Sequence, residues 1–163
     1  MINIVLVEPE IPQNTGNIVR TAAATGSVVH LVRTLGFDTS DKMLKRAGLD
    51  YWKDCEIHYW DSFSQLQQAH PDGNYFYFST KAQKCHCQVT YGDNAYLVFG
   101  RESRGLPEQL VHDNYDKAVR IPMIADTRSL NLSNSVAIAV YEVLRQHNFE
   151  GMNFIGHLRE FDD

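Results

Sequence analysis

Short runs of β-branched and aromatic residues recur along this chain, and most are followed by a stretch with helical spacing. INIVLVE at 2–8 precedes NTGNIVRTAAAT at 14–25, and SVVHLV at 27–32 begins just after Gly26, a glycine placed to end that helix. EIHYW at 56–60 leads through Asp61 and Ser62, both capping residues, into FSQLQQA. NYFYFS follows at 74–79, AYLVFG at 95–100 before the short helix signal LPEQLV at 106–111, and KAVRIP at 117–122. Last comes SVAIAVYEVLRQ, in which Val136, Ala139, Val140, Val143 and Leu144 mark one apolar face of a helix running to about residue 149. Strand and helix signals in alternation predict an α/β fold with a mainly parallel sheet flanked by helices on both faces. Segments 34–55 and 80–94 are the least regular. The chain of 163 residues fits one domain, expected over 1–151, with 152–163 as a tail.

Composition narrows the classes of function. Apolar residues make up 44% and charged residues 21%, an ordinary globular balance without repeats or biased tracts. The apolar runs are too short to span a bilayer and Met1 leads straight into a strand pattern, so a soluble cytoplasmic protein with no membrane partner is expected. A net charge of −5 argues against broad nonspecific nucleic-acid binding, including DNA, but leaves room for a local basic surface. Lys42, Lys45 and Arg46 suit such a surface, and equally a solvated helix face. Three cysteines without a secretion signal argue against a disulfide framework. Cys85, His86 and Cys87 have metal-ligand chemistry, but the second pair of ligands is missing and neighbours on a strand point to opposite faces. No metal is expected.

In α/β sheets ligands collect beyond the carboxyl ends of the strands, so the loops there carry the functional information. EPEIPQNTGNIVR holds two prolines, Asn14, Gly16 and Asn17, and places Arg20 on a helix otherwise made of Ala, Thr, Val and Ile. A proline-stiffened turn capped by Asn14 accounts for most of this loop, though not for Arg20. YFYFS is followed by TKAQK, and YLVFG by RESRGLP, with Gly100 at the strand end where backbone can approach a ligand closely. The charges of RESRG taken singly also suit a solvated turn. IPMIADTRSLNLSN completes the set: Ser129, Asn131, Ser133 and Asn134 all have capping side chains where one helix needs one cap.

EPEIPQNTGNIVRTAAATG, LVFGRESRGLP and IPMIADTRSLNLSNSVAIAVYEVLRQ resemble the three motifs of the SPOUT methyltransferases. The likeness is closest to the small tRNA (cytidine/uridine-2′-O)-methyltransferases of the wobble nucleotide. It runs from Met1 to about residue 151 and includes LGFDTSDKMLKRAGLDYW at 35–52. The resemblance implies a SPOUT domain with a deep trefoil knot in its C-terminal half. It implies S-adenosyl-L-methionine held bent by the loops after the strands, bordered by Phe78 and Gly100 and closed by Ile121, Ser129 and Leu130. It implies methyl transfer to the ribose 2′-hydroxyl of a wobble cytidine or uridine, in leucine tRNAs, with Arg20 engaging ribose and phosphate and Asn14, Glu102, Ser129 and Asn131 around it. It also implies a homodimer paired through the first and last helices, with the tRNA anticodon arm gripped by groups such as Arg104. Departures lie in the second motif, commonly Gly-Pro-Glu-Thr-Arg-Gly, where this chain has GRESRG: Ser103 keeps a hydroxyl, and Arg101 replaces a rigid proline by a charge.

Two other classes compete. A noncatalytic RNA-binding module would be expected to have lost Arg20 or Gly100, and both are present. A nucleotide-dependent oxidoreductase needs a glycine fingerprint and an acidic residue ending the second strand, where VHLVRT has Arg33.

Overall fold

The computed structural model describes residues 1–37, 51–124 and 128–158. Lys42, Lys45 and Arg46 lie outside the described residues.

The strands are β1 (Ile2–Val7), β2 (Val28–Val32), β3 (Ile57–Trp60), β4 (Asn74–Phe78), β5 (Lys84–Cys85), β6 (Ala95–Phe99) and β7 (Ala118–Arg120). Among the described residues they form one seven-stranded sheet in the order β3-β2-β1-β6-β4-β7-β5, and all its pairings are parallel. The helices are α1 (Pro12–Thr25), α2 (Phe63–Ala69), α3 (Glu108–Asp113) and α4 (Leu132–Gln146).

Burial explains why the inner strands read as continuous apolar runs: every residue of β1, β2 and β6 is buried. Ile4, Leu6, Leu31, Leu97 and Phe99 pack with Ile18 and Ala22 of α1 and with Val136, Ala139, Val140 and Val143 of α4. The alternate residues Val5, Val7, Val32, Tyr77 and Val98 pack on the other face with Leu66 of α2, with Leu106 of the loop before α3 and with Val111 of α3. The expected covering of both faces is what the molecule has.

Local signals set the boundaries. Gly26 adopts the left-handed conformation (φ 64) that ends α1, and the Ser62 side chain accepts the Gln65 N–H at the start of α2. Asn14 does not cap α1 as expected: Pro12 starts the helix, Ile11 stands at the cap without a side-chain bond, and Asn14 lies inside the first turn. The last helix stops at Gln146 rather than near 149, because Asn148 and Phe149 take positive φ values of 55 and 51. The irregular stretch 80–94 contains the two-residue edge strand β5 and a 3₁₀ turn over His86–Gln88.

A buried polar pair, His30 and Asn3, stands within the second face. Trp60 Nε1 donates to His30 Nδ1 at 3.0 Å, so the proton of the ring resides on Nε2, which donates to Asn3 Oδ1 at 3.0 Å. Burial, then the neighbouring His58 and His70, lower the His30 pKa from 6.5 to about 3. The unfolded chain therefore binds a proton between these values that the folded chain does not. Stability is full above pH 6.5 and falls as pH drops toward 3, by up to about 1.4 kcal/mol per pH unit from this group. Urea midpoints between pH 7.5 and 4.5 test this: His30→Gln, which keeps a neutral donor and acceptor, should show a shallower decline than the parent chain.

Candidate active site

Because the pairings are parallel, the carboxyl ends of β1, β4, β6 and β7 open on one edge of the sheet, and the loops after them meet there. They enclose a cavity of about 420 Å³. Its walls mix apolar groups, Phe78, Phe99, Ile121, Leu130 and Leu132, with hydroxyl side chains such as Ser79, Thr80, Ser129 and Ser135. Phe78 stacks on Phe99 with ring centroids 4.6 Å apart, giving the cavity an aromatic floor.

Two loops distant in sequence are laced together beside it. Glu102 Oε2 accepts the Glu10 N–H at 2.7 Å, while Oε1 accepts the Ile11 N–H at 3.1 Å and Asn14 Nδ2 at 3.2 Å. Glu10 in turn accepts the Ser103 N–H at 3.0 Å and the Ser103 hydroxyl at 2.9 Å. Arg101 pairs with Glu8, so the charge that replaces the motif's usual proline joins the same lacing. Three successive residues of the loop after β6 thus bond to the loop after β1.

The lacing continues to α4. Asn131 Nδ2 donates to Asn14 Oδ1 at 3.0 Å, and Asn131 Oδ1 accepts the Asn134 N–H at 3.2 Å as the helix cap and the Ser133 hydroxyl at 2.7 Å. Of the surplus polar residues around the start of α4, then, Asn131 caps the helix and Ser133 in its first turn supports that cap, while Ser129 lines the cavity.

Gly100 is needed for a reason other than ligand approach alone. A Cβ there would stand 2.0 Å from the Gly105 carbonyl carbon and 2.1 Å from Leu106 N, so the chain must pass against itself. The turn is closed by Arg101 N–H to Gly105 O at 3.2 Å and Gly105 N–H to Arg101 O at 2.8 Å, with Gly105 at φ 70.

Of the residues singled out in the sequence, Asn14, Phe78, Gly100 and Glu102 line this cavity, as do Ile121, Ser129, Leu130 and Asn131. Arg20 does not: it is exposed on α1, its guanidinium carbon 5.2 Å from the centre of the Tyr51 ring. Glu8 and Glu10 were not singled out, although acids flanking Pro9 at a strand end opposite the basic RESR are a complementary-charge signal. Lys81 also lines the cavity, and its ammonium, 2.7 Å from Glu108, holds that carboxyl below its ordinary range. Among the described residues no group of three or more His, Cys, Asp or Glu side chains is arranged to hold a metal ion.

A knitted set of loops over a mixed apolar and hydroxyl cavity at the strand ends is an arrangement suited to a small-molecule ligand. The chain belongs to the SpoU rRNA Methylase family, whose model matches residues 1–141. It is 50% identical over 155 residues to the tRNA (cytidine(34)-2′-O)-methyltransferase of Saccharophagus degradans, covering 93% of this chain and 99% of that one. A structure solved in work on 2′-OH methylation of C/U34 on tRNA superposes with a TM-score of 0.87 at 44% identity, covering 92% of this chain and 98% of the other. The SpoU methyltransferase AviRb from Streptomyces viridochromogenes, solved with AdoMet, shares the fold at a TM-score of 0.78 and 21% identity, covering 90% of this chain and 57% of AviRb.

Both oxygens of Glu102 face N–H donors, so an amide in its place must turn its NH₂ group against at least one of them. Glu102→Gln should cost about 1–3 kcal/mol, seen as a melting temperature lowered by several degrees in differential scanning fluorimetry. An unchanged melting temperature would show that the lacing does not hold the loops.

Proposed function

We propose that this protein transfers a methyl group from S-adenosyl-L-methionine to the ribose 2′-hydroxyl of cytidine or uridine at the wobble position of tRNA, leucine tRNAs being the expected substrates. The supporting observation is the cavity where Glu102, Asn14 and Asn131 tie three strand-end loops around apolar and hydroxyl walls. Relatives named tRNA (cytidine(34)-2′-O)-methyltransferase at 43–50% identity support the substrate class.

The cavity residues fit this cofactor. Phe78, Ile121 and Leu130 suit the flat face of an adenine, and the loop hydroxyls and backbone suit ribose and amino-acid groups. When bound, the cofactor supplies an electrophilic methyl on a sulfonium. The protein's own task is to align the hydroxyl and accommodate its developing charge. Neither carboxylate oxygen of Glu102 is idle, which suits Glu102 to holding the loops rather than taking a proton.

Arg20 is assigned to the substrate side. A guanidinium offers N–H donors and no acceptor, so its role is to grip a phosphate and steady the alkoxide, the proton passing to a phosphate oxygen or water. It stands six residues after Asn14, outside the cavity wall and exposed, where an RNA backbone can reach it. In the same reading residues 1–151 act as one methyltransferase domain with 152–163 as a tail, working in the cytoplasm where tRNA is. In that reading the C-terminal half, with its motif loops, is tied as a deep trefoil knot. The common cavity of these segments supports that reading, as does the insertion of β6 between β1 and β4. Pairing of two copies through α1 and α4 is supported by Ile138 and Tyr141, both exposed on α4. It would present the tRNA anticodon arm with cations from both subunits, Arg104 and Arg128 among them.

Arg20→Ala should leave S-adenosylmethionine affinity unchanged in calorimetry and lower methyl transfer to tRNA about a hundredfold or more. Loss of cofactor binding, or retention of full transfer, would remove Arg20 from the substrate side. A tRNA carrying a 2′-deoxy wobble nucleotide should give no product. Light scattering should report a particle near twice 18.6 kDa. A monomer with full activity would end the two-subunit reading.

A further inference from the structure

The sequence's Cys-His-Cys is not used by the methyl-transfer site, and the chain does not run through it as an extended strand. Cys85 ends β5, and the 3₁₀ turn that follows brings Cys87 back, so that the two sulfurs lie 2.9 Å apart instead of on opposite faces. Cys85 is half-buried and Cys87 exposed, so small solutes reach the pair. Cys85 Sγ also receives the Gln88 N–H, and its own N–H donates to Gln88 Oε1 at 3.0 Å, which holds the turn in this shape.

We propose that Cys85 and Cys87 form a reversible redox site, closed to a disulfide by peroxide-class oxidants, and that closure loosens the neighbouring cavity. In the first step one thiolate takes an oxygen from hydrogen peroxide, becoming a sulfenic acid and releasing hydroxide. The second thiol then attacks that sulfur, the S–S bond forms, and the oxygen departs as water. Two thiols and one peroxide give one disulfide and two waters: the sulfurs lose two electrons and the peroxide oxygens gain them. A bond of about 2.05 Å requires the sulfurs to approach further, and the short ring then closes across His86 alone.

That residue is the link to the cavity. His86 is buried, its ring centroid 6.5 Å from that of Phe78 on the cavity wall, and its carbonyl accepts the Tyr91 hydroxyl at 2.8 Å. Just upstream, Ser79, Thr80 and Lys81 line the cavity, and β5 pairs with β7, which runs directly into Ile121. Drawing Cys85 and Cys87 together changes the backbone at His86 and so disturbs the packing of Phe78. The third cysteine is an internal control: Cys55 is half-buried, and its Sγ hydrogen-bonds to the carbonyls of Ser27 and Glu56 rather than lying against a second sulfur.

The test is a thiol count and a peptide mass on the whole protein after hydrogen peroxide, with and without later dithiothreitol. Two of the three thiols should disappear, the tryptic peptide 85–101 should lose two hydrogens in mass, and dithiothreitol should restore both. Three surviving thiols, or covalent dimers on a non-reducing gel, would overturn the pair. Calorimetry with S-adenosylmethionine then reads the coupling, which rests on the function proposed above. The oxidised protein should bind several-fold more weakly, and Cys87→Ser should bind as the reduced protein does, peroxide or not. Equal binding in both redox states would overturn the coupling. Failure of the reduced protein to bind at all would count against the methyl-transfer reading, leaving the mass shift to decide the redox pair.

Discussion

The carboxylate of Glu102 receives three N–H groups from one short stretch of chain, and the shape of the whole cavity edge follows from that. A loop crowded with prolines and a second loop turning tightly on two glycines have little regular structure of their own to fix them. Glu102 supplies the missing bonds: it saturates the donors of residues 10, 11 and 14 and so brings the end of β1 against the end of β6. Hydrogen bonds to a charged acceptor are the strong kind, and those from Glu10 N–H and Asn14 Nδ2 are partly withdrawn from water. The Asn14–Asn131 bond then carries the same registration to the start of α4. The order of dependence runs from one side chain to two loops, and from two loops to the walls of the cavity.

Much of the architecture was legible because it obeys one physical rule. A strand covered on both faces must be apolar along nearly all its length, and INIVLV, VVHLV and AYLVF announce themselves as such, Asn3 and His30 being the paired exceptions. Gly26 and Ser62 do what their chemistry dictates at helix ends. Elements too short to show a period stayed hidden. Two residues of β5 and three of the 3₁₀ turn cannot display alternation, and their effect, bringing Cys85 and Cys87 together, runs opposite to what a strand would do.

The candidate site was legible in part through motif likeness, since Glu102, Asn14 and Asn131 meet although they are far apart in sequence. What each contacts was not. Capping propensity made Asn14 a helix cap, whereas tertiary partners on both sides of its amide claim it from within the helix. For Arg101 the sequence offered complementary charge in Glu8 and Glu10 without saying which of the two it meets, because that choice is made between loops of different strands. Gly100 shows the same limit: its position drew notice, but the crowding that demands it comes from residues 105 and 106 folding back.

The strand order has a consequence for how the chain is made. β1 leaves one edge for β2, which follows closely, and the other for β6, whose Ala95 to Phe99 pair with Ile2 to Leu6. A ribosome must therefore add some ninety further residues before the first strand acquires its second neighbour. Until then the growing chain carries an apolar strand with one ladder of hydrogen-bonding groups open. That is the kind of edge on which nascent chains associate. Late closure of a sheet from its middle also makes for slow folding, since distant segments must meet before their pairing rewards them.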